Sequence, residues 1–150
     1  MTLEEAYHLF ENLKNETSKK SEARLFNKFL DILGKLKSRA FSKEEIQSIE
    51  AELDRLNLRS NPEKGIKYFR KALYKLEKYL KDTFSLTSKG YYTRMGVGLG
   101  SSFGILFGIV FLSNMERSGG IALGLSFGML IGVVIGRSMD AKARNEGRVL

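Results

Sequence analysis

The 150-residue chain has no cysteine, no tryptophan, one proline and one histidine. Without cysteine there is no disulfide framework, no cysteine-ligated zinc site and no cysteine-linked lipid anchor. The lone His8 has no second histidine with which to share a metal, so it reads as a helix-surface or partly buried residue. The Gly-Lys-Ser/Thr ending of a phosphate loop is missing. The stretch Gly96-Val97-Gly98-Leu99-Gly100 fails the dinucleotide fingerprint, because Ser101 stands where the last glycine is needed and no strand precedes it. The acid pairs Glu4/Glu5 and Glu44/Glu45 are accounted for as helix starts, where carboxylates suit the dipole. The expectation is a protein that is not an enzyme, with no cofactor, no metal and no evident small-molecule substrate.

A second deficit is regional. Lys, Arg, Asp, Glu and His are absent for 21 residues from Met95 to Met115, and again for 19 residues from Ser118 to Gly136. Each stretch meets the roughly 17–25 residues that a helix needs to cross a bilayer. Ten Val, Leu, Ile and Phe residues between Val97 and Leu112 favour insertion by roughly 3–6 kcal/mol. The rival reading is a buried hairpin of a soluble domain. Mid-helix glycines would cost such a hairpin about 0.8–1 kcal/mol each relative to alanine. The absence of ionisable groups in both stretches argues against a pump or coupled transporter.

What fills these stretches is glycine in register. Gly96, Gly100, Gly104 and Gly108 recur every fourth residue, and Gly120, Gly124, Gly128, Gly132 and Gly136 do the same. Small residues at this spacing let membrane helices approach closely. The two runs form a tandem repeat offset by 24 residues, with Leu99/Leu123, Ser102/Ser126, Phe103/Phe127 and Leu106/Leu130 matching as well as the glycines. Folding antiparallel about Asn114 sets Gly108 level with Gly120, Gly104 with Gly124, Gly100 with Gly128 and Gly96 with Gly132. Equal depth leaves open whether the ladders face each other or a neighbouring copy.

The expected spans are about 95–113 and 119–136, within a hairpin of residues 91–139 followed by a short charged tail, 140–150. Lys81, Lys89 and Arg94 precede the hairpin, and Arg137, Lys142, Arg144 and Arg148 follow it, whereas the link at 114–118 carries one Arg and one Glu. The positive-inside rule then places both flanks in the cytoplasm. Tyr91 and Tyr92 suit the interfacial belt, and Arg94 and Arg137 can reach the headgroups.

Residues 1–90 hold 19 Lys/Arg against 14 Asp/Glu, a net of +5. They read as a basic domain of about four amphipathic helices. Thr2-Leu3-Glu4-Glu5 and Ser42-Lys43-Glu44-Glu45 are capping boxes. Asn15 to Ser21 is a polar break, followed by a helix from about Ser21 to Arg39 with Leu25, Phe29, Ile32, Leu33 and Leu36 on one side. Asn61 as N-cap with Pro62 behind it opens a helix running to about Phe84. On that helix Ile66, Phe69, Leu73, Leu76, Leu80 and Phe84 share an arc of about 80°, and Lys64, Lys67, Arg70, Lys71, Lys75, Lys78 and Lys81 cover one of about 140°. The basic arc is either a solvated back or a contact for anionic headgroups or a protein partner. A nucleic-acid partner is not expected, because no recognisable module accompanies the charge.

The repeat and the ending Met139-Asp140-Ala141-Lys142-Ala143-Arg144-Asn145-Glu146-Gly147 resemble small bacterial glycine-zipper membrane proteins, over about residues 95–147. Residues 1–90 carry no such resemblance. The resemblance implies tandem Gly-x-x-x-Gly spans with a charged tail, in a bacterial inner membrane. The resulting expectation is an all-α protein with a hairpin anchor that self-associates through its glycines. It would present the basic domain to a cytoplasmic partner or to anionic lipid. The alternative is a homo-oligomeric pore or membrane-permeabilising effector gated by the cytoplasmic domain.

Overall fold

The computed structural model describes residues 1–60, 65–111 and 117–150. These are all-helical apart from an isolated parallel bridge between Thr87 and Val149. The helices are α1 (Leu3–Glu16), α2 (Lys20–Lys37), α3 (Lys43–Arg55), α4 (Gly65–Phe84), α5 (Tyr91–Phe111) and α6 (Arg117–Asn145), with one 3₁₀ turn at Leu58–Ser60. They form two compact units. One is Met1–Leu86 together with Leu150; the other is Thr87–Val149.

The first unit begins where its capping chemistry requires. The Thr2 hydroxyl accepts from the Glu5 N–H at 3.1 Å, and the Glu5 carboxylate accepts from the Thr2 N–H at 3.0 Å. Ser42 and Glu45 repeat the exchange at the start of α3. The Thr2 N–H and the Arg59 guanidinium hold the Glu5 carboxyl below its ordinary pKa, and Lys37 does the same for Glu4. The expected polar break between α1 and α2 shrinks to residues 17–19, where Thr17 donates its hydroxyl to Glu22 at 2.7 Å. The start of α4 expected at Asn61-Pro62 lies outside the described residues.

The core of this unit follows the apolar stripes. Phe10 stacks on Phe29 with ring centroids 3.9 Å apart, and Phe69 meets Phe26 edge-on at 5.4 Å. Around them Leu33, Leu36, Ile49, Leu53, Leu76 and Leu80 are fully buried, and Leu150 is buried in the same cluster. Each buried aromatic or aliphatic side chain contributes about 1.5–3 kcal/mol. α4 stops at Ser85, which takes a left-handed φ of 55° while its N–H closes onto the Lys81 carbonyl at 3.0 Å.

The second unit is the antiparallel pair α5 and α6. α6 continues through Arg137 and Asp140 to Asn145, so residues 140–145 of the expected charged tail are helical. The chain then turns at Gly147 (φ 66°), and the Arg148 carbonyl accepts from the Thr87 N–H at 2.9 Å. The first unit also ends at Leu86, four residues before the boundary expected at 90.

Candidate functional site

The glycine ladders meet each other within the chain. A Cβ built on Gly96, Gly100, Gly104 or Gly108 would come closer than 3.0 Å to the carbonyl oxygen of Gly132, Gly128, Gly124 or Gly120 respectively. Building from α6 gives the reciprocal clash: Gly124 on Gly104, Gly128 on Gly100 and Gly132 on Gly96. The hydrogen that glycine carries in that direction points at the same carbonyl, which is the arrangement of a Cα–H···O contact. A stripe at four-residue spacing winds about 40° per step around a 3.6-residue helix. Contact at all four levels therefore means that the helices follow the stripe around one another. Gly136 extends the register by one turn and lies against the backbone of Tyr92 and Thr93. Gly98 and Gly119 lie off the seam, where an added Cβ meets nothing.

With the small residues turned inward, the large ones point out. Phe103 is 68% exposed, Phe127 62% and Val134 67%; Leu106, Val110, Leu130 and Ile131 are exposed too. Phe103, Phe107, Phe127 and Ile131 wall an apolar groove of about 700 Å³ with a glycine floor. Both helices are long and apolar enough to cross a membrane. Three serine hydroxyls close onto their own helices: Ser101, Ser102 and Ser126 donate to the Val97, Gly98 and Ala122 carbonyls at 2.7–3.0 Å.

One end of the pair is closed by a carboxylate. Asp140 on α6 accepts from the Tyr92 N–H at 3.0 Å, from the Thr93 N–H at 3.0 Å and from the Thr93 hydroxyl at 2.6 Å. The two N–H groups are orphan donors of the first turn of α5. Gly90 precedes that turn with φ 73° and no side chain to cap it. Asp140 therefore acts as an N-cap supplied by the neighbouring helix, with the sign of charge that the dipole favours. Sequence reading grouped Asp140 with the tail. The signal was present, since the glycine register extended past Gly136 brings the start of α5 beside an acid.

The remaining expected residues are dispersed. Lys67, Lys71, Lys75 and Lys78 are exposed on α4, and Lys64 lies outside the described residues. Arg94 is exposed but folds back, donating to the Ser88 hydroxyl at 2.8 Å; Arg137 is exposed on α6. His8 is exposed on α1 between Glu4 and Glu11. Among the described residues no three His, Asp or Glu side chains gather as a metal site. No family model, no curated protein and no solved structure matches the chain.

Proposed function

We propose that the protein is a non-enzymatic membrane anchor, in which α5 and α6 cross the bilayer as a hairpin and carry the helical unit at its cytoplasmic face. One observation carries this reading: the pair is inside-out for water. A soluble helical pair buries its large apolar side chains against the partner. Here glycines take the contact and phenylalanine, leucine, isoleucine and valine face outward along both helices. In water an exposed apolar surface of this extent drives association or aggregation. In hydrocarbon it costs nothing, and close backbone packing is what holds helices together.

The same geometry bears on self-association. The seam between the ladders is filled within the chain, which leaves the outer surfaces and the glycine-floored groove for any oligomer. Hydroxyls that close onto their own helices support packing over a polar lumen, and the pore reading gains no observation of its own.

The chain's lack of cysteine makes the topology test clean. Single cysteines at Ser88, Asn114 and Asn145 are reacted with an impermeant maleimide in intact cells and in inverted vesicles. Labelling of Ser88→Cys and Asn145→Cys from the cytoplasmic side, and of Asn114→Cys from the opposite side, is expected, with the chain resisting carbonate extraction. Extraction by carbonate, or all three sites labelling from one side, refutes the anchor.

A further inference from the structure

We infer that the exposed basic face of α4 docks on the anionic phospholipid surface of the membrane, an inference that rests on the anchor reading. Lys67, Arg70, Lys71, Lys75 and Lys78 are all exposed. Their positions fall within an arc of about 140° on a helical wheel. Between 67 and 78 the one acid is the half-buried Glu77, at the edge of that arc; Asp82 lies on the same side one turn further on. Elsewhere in the unit Lys19 pairs with Glu22, Lys35 with Asp31, Lys37 with Glu4, Arg55 with Glu52 and Arg59 with Glu5. The exposed Lys14, Lys20, Arg24, Lys28 and Lys43 on α1, α2 and α3 form no ion pair among the described residues, but they are not gathered five to one helix face. None of the five α4 cations has an acidic partner among the described residues. Their i,i+3 and i,i+4 spacings set like charges against each other, which disfavours the helix until a counter-charge arrives.

Three features select a lipid surface as that counter-charge. Tyr74 stands in the middle of the arc and is 66% exposed. A tyrosine among lysines suits headgroup depth, with an apolar ring and a polar tip. The face is one side of a straight helix, about 17 Å from position 67 to 78 at 1.5 Å per residue, and it can lie along a plane without a groove to fit. Residues 85–90 are the whole covalent link between α4 and α5. So short a tether keeps the local concentration of headgroups high and makes weak per-residue attraction sufficient. A nucleic acid would meet the same charge, but no base-stacking platform or reading helix accompanies it.

The test uses the full chain in nanodiscs of phosphatidylcholine alone, or of phosphatidylcholine mixed with phosphatidylglycerol. Lysine acylation is read site by site by mass spectrometry. In the anionic discs, acylation at Lys67, Lys71, Lys75 and Lys78 is expected to fall about fivefold, the factor that corresponds to the usual attraction of one cation to such a surface. It recovers at high salt, while Lys14 and Lys43 stay unchanged. The double variant Lys71→Glu/Lys75→Glu alters only exposed positions and is expected to abolish protection at Lys67 and Lys78, with helicity by circular dichroism retained. Equal acylation in both discs overturns the lipid contact and leaves the anchor standing. Stronger protection by a short RNA in neutral discs also overturns it, in favour of nucleic acid. Failure of the chain to co-elute with discs overturns both readings.

Discussion

Adding one methyl group to the seam and one beside it should have opposite effects on the hairpin. At Gly104 a Cβ would stand 2.2 Å from the Gly124 carbonyl oxygen and 3.1 Å from the Gly128 Cα. Ordinary Cβ contacts begin at 3.4 Å, so the helices would have to part by about 1 Å at that level. The atoms in the way are backbone and cannot rotate aside. A radial gap of 0.5–1 Å forfeits roughly a quarter to a half of each dispersion contact. The adjoining Cα–H···O contacts, each about 0.5–1 kcal/mol, are lost with it. Overpacking of this kind costs about 1–3 kcal/mol. At Gly98, two turns from Gly104 on the same helix, an added Cβ meets nothing, and alanine there gains about 0.5–1 kcal/mol of helix propensity.

The assay is reversible unfolding of the full chain in bicelles by increasing SDS, followed by far-ultraviolet circular dichroism. Gly104→Ala is expected to lower the midpoint and Gly98→Ala to leave it unchanged or raise it, a difference of about 1.5–4 kcal/mol between two chemically identical changes. Gly128→Ala on the facing helix should match Gly104→Ala. The double variant should cost less than the sum, because both methyl groups open the same gap. Equal effects at Gly98 and Gly104 would refute the packing argument, since only a seam distinguishes them.

The other predictions concern the clamp and the first unit. Asp140→Ala should destabilise the hairpin in the same assay by about 1–3 kcal/mol, because three donors lose a charged acceptor. Asp140→Asn should recover part of that loss, and an unchanged midpoint in both variants refutes the cap. Thr93→Val removes the hydroxyl and keeps the shape; it should cost about 1 kcal/mol, and much less once Asp140 is already alanine. The Glu5 carboxyl lies below its ordinary value of 4.5, so its contribution is present above 4.5 and fades as pH falls through the lower folded value. Glu5→Gln should therefore flatten the acid side of a thermal-melting profile measured against pH, and an unaltered acid slope counts against that linkage.

How much could be read in advance differs between the two units. The stripes of α2 and α4 were legible, because Leu33, Leu36, Leu76 and Leu80 fall at helical spacing and all four are buried. Phe26 was not picked out, although it packs against both Phe10 and Phe69. It lies one residue from Leu25, and a single-helix pattern cannot say that two neighbouring helices will cover both. The level pairing of the glycines followed from the 24-residue repeat and a turn near Asn114. Which surface each ladder meets did not follow, because depth is one coordinate and facing requires the rotation of each helix about its axis. Asp140 was hidden for a related reason. Its role depends on two donors 47 and 48 residues away, and an acid three residues past Arg137 reads locally as part of a charged tail.

A zipper and a cap together explain why the hairpin has a single register. The glycines alone specify spacing and leave the register open, since sliding α6 by four residues would again place glycine opposite glycine over most of the ladder. Such a slip would change few contacts and leave several nearly equal packings. Asp140 breaks that degeneracy: moved by one turn, about 6 Å along the helix axis, its carboxylate could no longer reach the first turn of α5, and a charge would be left without its donors. The repeat supplies the close approach, and the one acid on α6 between Arg117 and Asn145 selects which of the near-equivalent alignments is occupied. A variant that carries Asp140→Ala should then sample the slipped register as well as lose stability. Disulfide trapping between single cysteines at Leu99 and Ile131, which line the same groove at nearly the same level, distinguishes the two effects. A second cross-linked pair, Leu99 with Ile135, should appear when the cap is gone. Its failure to appear would mean that the glycine seam fixes the register unaided.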